Sequence, residues 1–524
     1  MISFRINNQN NRTRLRVVAS SVFLAVLFFL TIWLKSGYYQ TMPFLHDRDT
    51  YFHGMLTNYI VQYERTTLNT PYEVPTIGSG TTLSFHILLA QIHLVTAVTV
   101  VTIIRWVGVI MSAFVGLTIY VLILRLSKKQ ATALFGFVLF LFTPYLSARL
   151  SASFPENILI FYIPVVLFLL HDAVDRRQRG SLFGTVLLSI SAIGYHFSSY
   201  LLMPILGFGT ILFYVGNHWR YRNLLYITLF IIAMTGLISI IFSSWWLFGF
   251  ITSLFKSNSG TAFSADSTLK SYVLPPPASG QWIEQLGAIM IILSLIGLVL
   301  FLIQRNTTWR SKSLIIGYTF VILLPLQILP YFKLFSYTPF RAFAYIAIPM
   351  VVIASFTIQW LLSKKSFIFK IGTLACLLII LVPNYSTPAV AGAGEQHLTK
   401  GEFHGFQWLI NHTSQDTLVI TAPANGRQIA FYIKSPVAYD TGQGVFDAKT
   451  SRDAITEIEK IGHYRETYIY ISKYKLGPVY NFGWIREYAY VRADITKFKD
   501  ENNFQKVYED QDSLIYRAEL TSIN

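Results

Sequence analysis

Apolar runs recur along this chain from residue 17 to residue 386, separated by short polar stretches. A helix that crosses a bilayer needs about 20 mostly apolar residues. Runs near that length fall at 17–35, 100–124, 131–148, 157–171, 181–195, 199–215, 224–248, 284–304, 314–330, 340–361 and 369–386. They predict about eleven transmembrane helices, with 181–215 readable as one bent pair or as two short spans. The segment TLSFHILLAQIHLVTA (82–97) is apolar but short, and predicts a re-entrant or interfacial helix ahead of the second span. After residue 390 the pattern changes. AGAGEQHLTKGE (391–402) reads as a small, polar linker. TLVITA (417–422) and TYIYIS (467–472) read as strands, and 401–411 and 450–461 as helices. The expected organisation is a membrane module over 1–390 and a small α/β domain over 391–524.

Composition supports this pattern. The chain is 53% hydrophobic and 13% charged, whereas soluble domains carry about 25% charged residues. A cleaved signal peptide would not account for apolar runs that reach residue 386. The single cysteine, Cys376, excludes a disulfide or a cysteine-based zinc framework within one chain. The net charge of +16 would suggest nucleic acid in a soluble protein. Here the basic residues gather in short loops instead. With the N-terminus cytoplasmic, every inner loop is basic: RLSKK (125–129), DRRQRG (175–180), HWRYRN (218–223), QRNTTWRSK (304–312) and SKKSFIFK (363–370). This is the positive-inside pattern. An odd number of spans then puts the C-terminal domain outside the cell membrane, and no nucleic-acid partner is expected.

The outer side, on this orientation, carries the ionisable chemistry. FLHDRDTYFH (44–53) follows the first span and holds His46, Asp47, Arg48, Asp49 and His53. Asp47 and Asp49 point the same way on an extended loop and diverge on a helix. Such a pair can hold a divalent cation through oxygen ligands, or one carboxylate can act as a general base on an acceptor hydroxyl. A solvated turn with a local ion pair is the bland alternative. In RLSASFPEN (149–157), Glu156 follows Pro155 at the start of a span, with Asn157 beside it. Helix-start chemistry alone accounts for that arrangement. The alternative joins Glu156 to Asp49 across the outer face. Arg341 in YTPFRAFAYIAIP opens a late span, with Lys333 eight residues earlier. Arg341 either snorkels or binds a phosphate bidentately. His196, in GYHFSSY, sits at an outer turn as a packing residue, a phosphate contact or a proton shuttle. His86 and His93 on the interfacial helix read as packing residues. The loop 257–280, rich in Gly, Ser and Pro, reads equally as a lid or as a plain connection.

A first span followed by a long outer loop bearing D-x-Y-F-H resembles the GT-C superfamily of membrane glycosyltransferases, and especially oligosaccharyltransferase catalytic subunits. In those an aspartate precedes P-Y-F-x, and Asp49 in DTYFH matches that position. Asp47 is then an added neighbour, and Glu156 in SFPEN corresponds to the second-loop acid. GSGTTLSFHILLAQIH (78–93) resembles the PPL-x-H helix of many members, and GEFHGFQWLINHTSQDTLVIT (401–421) the opening of their outer domains. The W-W-D-x-G element that recognises acceptor peptides has no match; the nearest stretch is NFGWIREY (481–488).

The resemblance implies a GT-C-like polytopic α-helical fold and an inverting transferase that uses a polyprenyl-phosphate-linked sugar. The acceptor is a glycan, a lipid or a protein. Asp49 is the expected base, with Arg341, Lys333 and His196 on the donor phosphate. If a divalent ion (Mg or Mn) takes part, Asp47, Asp49 and Glu156 are its expected ligands. Trp408, Tyr480 and Trp484 either pack the outer domain or stack on sugars. The alternatives are oligosaccharyltransferase-like protein glycosylation, a transporter or flippase of lipid-linked sugar, and a non-catalytic subunit that binds such a lipid.

Overall fold

The computed structural model describes residues 18–36, 45, 48–64, 84–143, 146, 150, 155–193, 195, 202–216, 282–283, 286–303, 308–323, 339–363, 398–439, 441–473, 478–481, 485–488 and 495–520. Among them, helices in chain order are α1 (Val18–Ser36), α2 (Arg48–Tyr63), α3 (Ser84–Thr96), α4 (Val100–Ser127), α5 (Gln130–Leu141), α6 (Pro155–Arg176), α7 (Arg179–Ile193), α8 (Leu202–Gly216), α9 (Ala288–Ile303), α10 (Trp309–Leu323) and α11 (Pro339–Ser363). Four of these, at Val18–Ser36, Val100–Ser127, Pro155–Arg176 and Phe343–Ser363, carry stretches long and apolar enough to cross a membrane. The expected spans at 224–248 and 369–386, and the loop 257–280, lie outside the described residues. The 181–215 region forms two helices, α7 and α8, and 84–96 is helical as its apolar pattern predicts. The helix α2 was not expected: this part of the first outer loop reads as loop in the sequence.

By its contacts the chain divides into two compact units. One comprises 1–40, 79–82 and 106–389; the other comprises 41–78, 83–105 and 390–524.

In the first unit, buried side chains of α4 to α11 form one continuous apolar core. Helices in hydrocarbon gain little from apolar contact with each other, so small residues and interhelical hydrogen bonds decide which faces meet. The α9–α11 contact follows that rule. Ser294 Oγ donates to Met350 O at 3.1 Å, and Thr357 Oγ1 donates to Leu293 O at 2.6 Å. Gly297 lies against the carbonyl of Ile353, where any Cβ would collide with backbone. At the expected inner ends, charge takes over. Arg125 Nε donates to Asp172 Oδ1 at 2.6 Å, tying α4 to α6. His171 Nδ1 lies 2.6 Å from Ser311 Oγ, tying α6 to α10.

The second unit holds α2, α3 and the first turns of α4 together with the C-terminal region. That region contains α12 (Lys400–His412), β1 (Thr417–Ile420), α13 (Pro423–Tyr432), β2 (Val437–Ala438), α14 (Gln443–Asp447), α15 (Ser451–Ile461) and β3 (Glu466–Ser472). It ends with the hairpin β4 (Pro478–Asn481) and β5 (Ile485–Tyr488), then β6 (Phe504–Glu509) and β7 (Ser513–Ala518). A five-stranded sheet runs β2-β1-β3-β7-β6, with β2, β1 and β3 parallel and β7 and β6 antiparallel. The apolar runs TLVI and TYIYIS are buried throughout, as expected for strands covered on both faces. Capping boxes start α12 (Thr399 with Glu402) and α15 (Thr450 with Asp453). Each replaces two orphaned helix N–H groups' lost partners and contributes about 1 kcal/mol.

Candidate functional site

The sequence-derived candidates fall in both units, and each group is built from its own elements. In the first unit, Pro155 opens α6 with a φ already suited to a helix, and Glu156 follows in the first turn. Glu156 is fully buried, and its Oε1 accepts a hydrogen bond of 2.6 Å from the Tyr345 hydroxyl. A buried carboxylate needs such donors, because desolvation without them is costly. Tyr345 is itself fully buried on α11, where its carbonyl accepts the Tyr318 hydroxyl at 3.0 Å. Arg341 lies on the same helix, four positions before Tyr345 and so one turn away. The structure therefore joins Glu156 to the helix that carries Arg341. Asn157, beside Glu156, is also buried. Lys333 and His196 lie outside the described residues.

The sequence reading did not select Tyr345. The signal was present in YTPFRAFAYIAIP, where a tyrosine sits one turn from an arginine on an otherwise apolar helix.

In the second unit, Asp49 falls in the first turn of α2, the end that favours an acid through the helix dipole. The extended arrangement that would aim Asp47 and Asp49 alike does not apply at position 49, which is helical. His46, Asp47 and Trp484 lie outside the described residues. One turn after Asp49 comes His53. Its Nδ1 lies 2.9 Å from His86 Nε2, and the two rings are 5.1 Å apart. His86 is fully buried on α3, so a ring-to-ring hydrogen bond ties α2 to α3. His93 instead bonds the Val98 carbonyl at 2.8 Å.

The contacts between α2 and α13 are aromatic. Tyr51 packs edge-on to Phe431 at 5.6 Å and lies 5.8 Å from Tyr432, both on α13. Asn58 Nδ2 donates to the Phe431 carbonyl at 3.3 Å, and the Arg427 guanidinium sits 4.9 Å over the Phe52 ring. Gly54 makes this approach workable: a Cβ there would meet Phe431 Cδ2 at 2.8 Å and Ile104 Cδ1 at 2.9 Å. Thus α2, α4 and α13 meet at a single glycine. Burial pushes the Tyr432 phenol above its usual range, opposed by a hydrogen bond with Tyr51 and by the nearby positive charge of Arg105.

Trp408 stacks on His412 at 4.1 Å, with Tyr468 against its edge. Much of its surface is thereby engaged by the domain itself. Tyr480 lies on β4. A cleft of about 400 Å³ opens at the β2 edge, lined by Val437, Thr441, Glu457, Lys460 and Tyr464. Among the described residues, no group of three or more His, Cys, Asp or Glu side chains is placed to hold a metal ion.

No family model matches the chain, and no curated protein matches it in sequence. Solved structures do. The oligosaccharyltransferase of Archaeoglobus fulgidus, determined with Zn and sulfate, superposes with a TM-score of 0.55 at 12% identity, over 84% of this chain and 67% of that one. Arabinofuranosyltransferase AftD from Mycobacteria superposes with a TM-score of 0.59 at 11% identity, over 95% of this chain. The match spans only 40% of that protein's length. At such identities the likeness concerns the fold, and it is a GT-C-like fold. With its apolar helices, it makes the chain an integral membrane protein.

Proposed function

We propose that the chain is a membrane glycosyltransferase that transfers a sugar from a polyprenyl-phosphate carrier to an acceptor at the outer membrane face. The observation that carries this reading is the GT-C-like fold with Asp49 in the first turn of a helix after the first span. Asp49 accepts the proton of the acceptor hydroxyl as that oxygen attacks the anomeric carbon. The bond from the anomeric carbon to the carrier phosphate breaks, the configuration inverts, and the carrier leaves as a lipid phosphate. No second carboxylate is needed as nucleophile, unlike in a retaining glycosidase.

Glu156 would serve as the second-loop acid, with Tyr345 orienting its carboxyl. The developing phosphate charge calls for cations, and Arg341, Lys333 and His196 are the sequence's candidates. If a divalent ion takes part, Asp47, Asp49 and Glu156 would hold it and it would polarise the phosphate. Zn is present in the archaeal oligosaccharyltransferase structure. About eleven spans, an inward N-terminus and an outward C-terminal domain complete the proposal.

A transporter is the reading from another class. The basic inner loops and the acids of the outer loops favour chemistry at one face. The test is release of polyprenyl phosphate by purified protein supplied with labelled polyprenyl-phosphate sugar and candidate acceptors. Carrier release coupled to glycosylated product is expected. Movement of intact donor across vesicles, without release, would replace the enzyme with a flippase.

A further inference from the structure

Arg105 on α4 and Arg310 on α10 are both arginines of apolar helices whose Nε is buried without an acceptor among the described residues, and of the two only Arg105 lies in the unit that holds α2. It lies five residues into α4, roughly 8 Å along the axis from the helix start. The side chain is half-buried, and its Nε is fully buried with no hydrogen-bond acceptor among the described residues. Its counterpart near the other end of the same helix, Arg125, is paired with Asp172. A buried guanidinium N–H left without an acceptor is costly.

Three observations define what Arg105 faces. Trp106, the next residue, is 40% exposed, and an exposed tryptophan near a helix end marks the headgroup level of a bilayer. Ile104, the preceding residue, is fully buried and lies at the Gly54 junction with α2. The positive field of Arg105 reaches Tyr432, which packs on Tyr51, two residues after Asp49. A guanidinium at headgroup depth, with an unsatisfied Nε and one residue from the Gly54 contact with α2, suits the geometry and charge of a phosphate.

We propose that Arg105 binds the phosphate of the lipid carrier, holding the scissile bond at the start of α2. This rests on the glycosyltransferase reading for its purpose, but not for its test. Arg427, over Phe52, adds positive field on the same helix.

The experiment measures binding of undecaprenyl phosphate, with no sugar and no turnover, to full-length protein in phosphatidylcholine nanodiscs. Phosphatidylglycerol is titrated in parallel. Arg105→Gln should weaken undecaprenyl phosphate binding about tenfold or more, and Arg105→Lys about threefold, because a point charge replaces a bidentate fork. Phosphatidylglycerol binding should change little. Equal affinity in wild type and Arg105→Gln overturns the proposal. An equal loss for both lipids also overturns it, since that reports general charge rather than a carrier site. If Arg105→Gln fails to fold, Arg105→Lys decides: wild-type affinity in that variant contradicts the bidentate contact. Absence of sugar transfer in wild type would sink the enzyme reading and leave this result standing.

Discussion

Tyr345 and Glu156 are 189 positions apart in sequence and meet through one hydrogen bond of 2.6 Å. The bond is short, and both partners are fully buried. Tyr345→Phe removes the donor and leaves the carboxylate desolvated with one partner fewer. Such a loss costs about 1–3 kcal/mol. A lower thermal midpoint is therefore expected in detergent, together with reduced transfer. Unchanged stability would mean that the bond contributes nothing. The tyrosine is visible beside Arg341 in the sequence, but nothing there announces that it meets Glu156, because each residue has a sufficient local explanation. Glu156 looks like a helix-start acid, and Tyr345 like an interfacial aromatic.

At the scale of elements, α2 couples the C-terminal region to the position of Asp49. Gly54 permits the close approach of Phe431 and Ile104. Gly54→Leu places a branched side chain into filled space, and overpacking of that kind costs about 1–3 kcal/mol. Faster hydrogen exchange in α2 and α13 is expected, with β1 and β3 unchanged. Exchange that stays the same in all four elements would argue against the junction. The long apolar helices and the buried strands were legible in the sequence, because length and apolarity suffice to define them. The helix α2 was not. Arg48–Tyr63 mixes polar and aromatic residues around a glycine, without a clean apolar stripe. Its one readable cue was an aspartate where a helix dipole favours one.

The C-terminal domain also carries a pH dependence set by its surface. Hydrogen bonds from Lys473 and Lys506 hold the Glu509 carboxyl down to about 2, from an ordinary 4.5. A carboxyl lowered on folding stabilises the fold above its unfolded pKa, and the contribution disappears as pH falls through the folded value. The window is thus from about 4.5 down to about 2. Both bonds are 2.7 Å long but exposed, so the effect is small and salt-sensitive. In Glu509→Gln the melting temperature should fall less steeply through that window than in wild type. Identical slopes would show that the ion pairs do not persist in solution.

At the scale of the whole molecule, fold and chemistry were legible to different depths. Alternation between apolar runs and basic loops predicted a membrane module with an α/β tail, and the D-x-Y-F-H resemblance carried the GT-C-like fold. The candidate site was legible only as a set of outer-face residues. Distant charged groups leave no periodic trace, and tertiary packing alone determines which of them meet. The most direct measurement of the account is transfer from a labelled polyprenyl-phosphate sugar by purified wild type and Asp49→Asn, both shown to insert and to bind the carrier. Loss of a positioned base predicts a fall of about a hundredfold or more with carrier binding retained. Full transfer by Asp49→Asn would contradict the role of Asp49 and the reaction built on it.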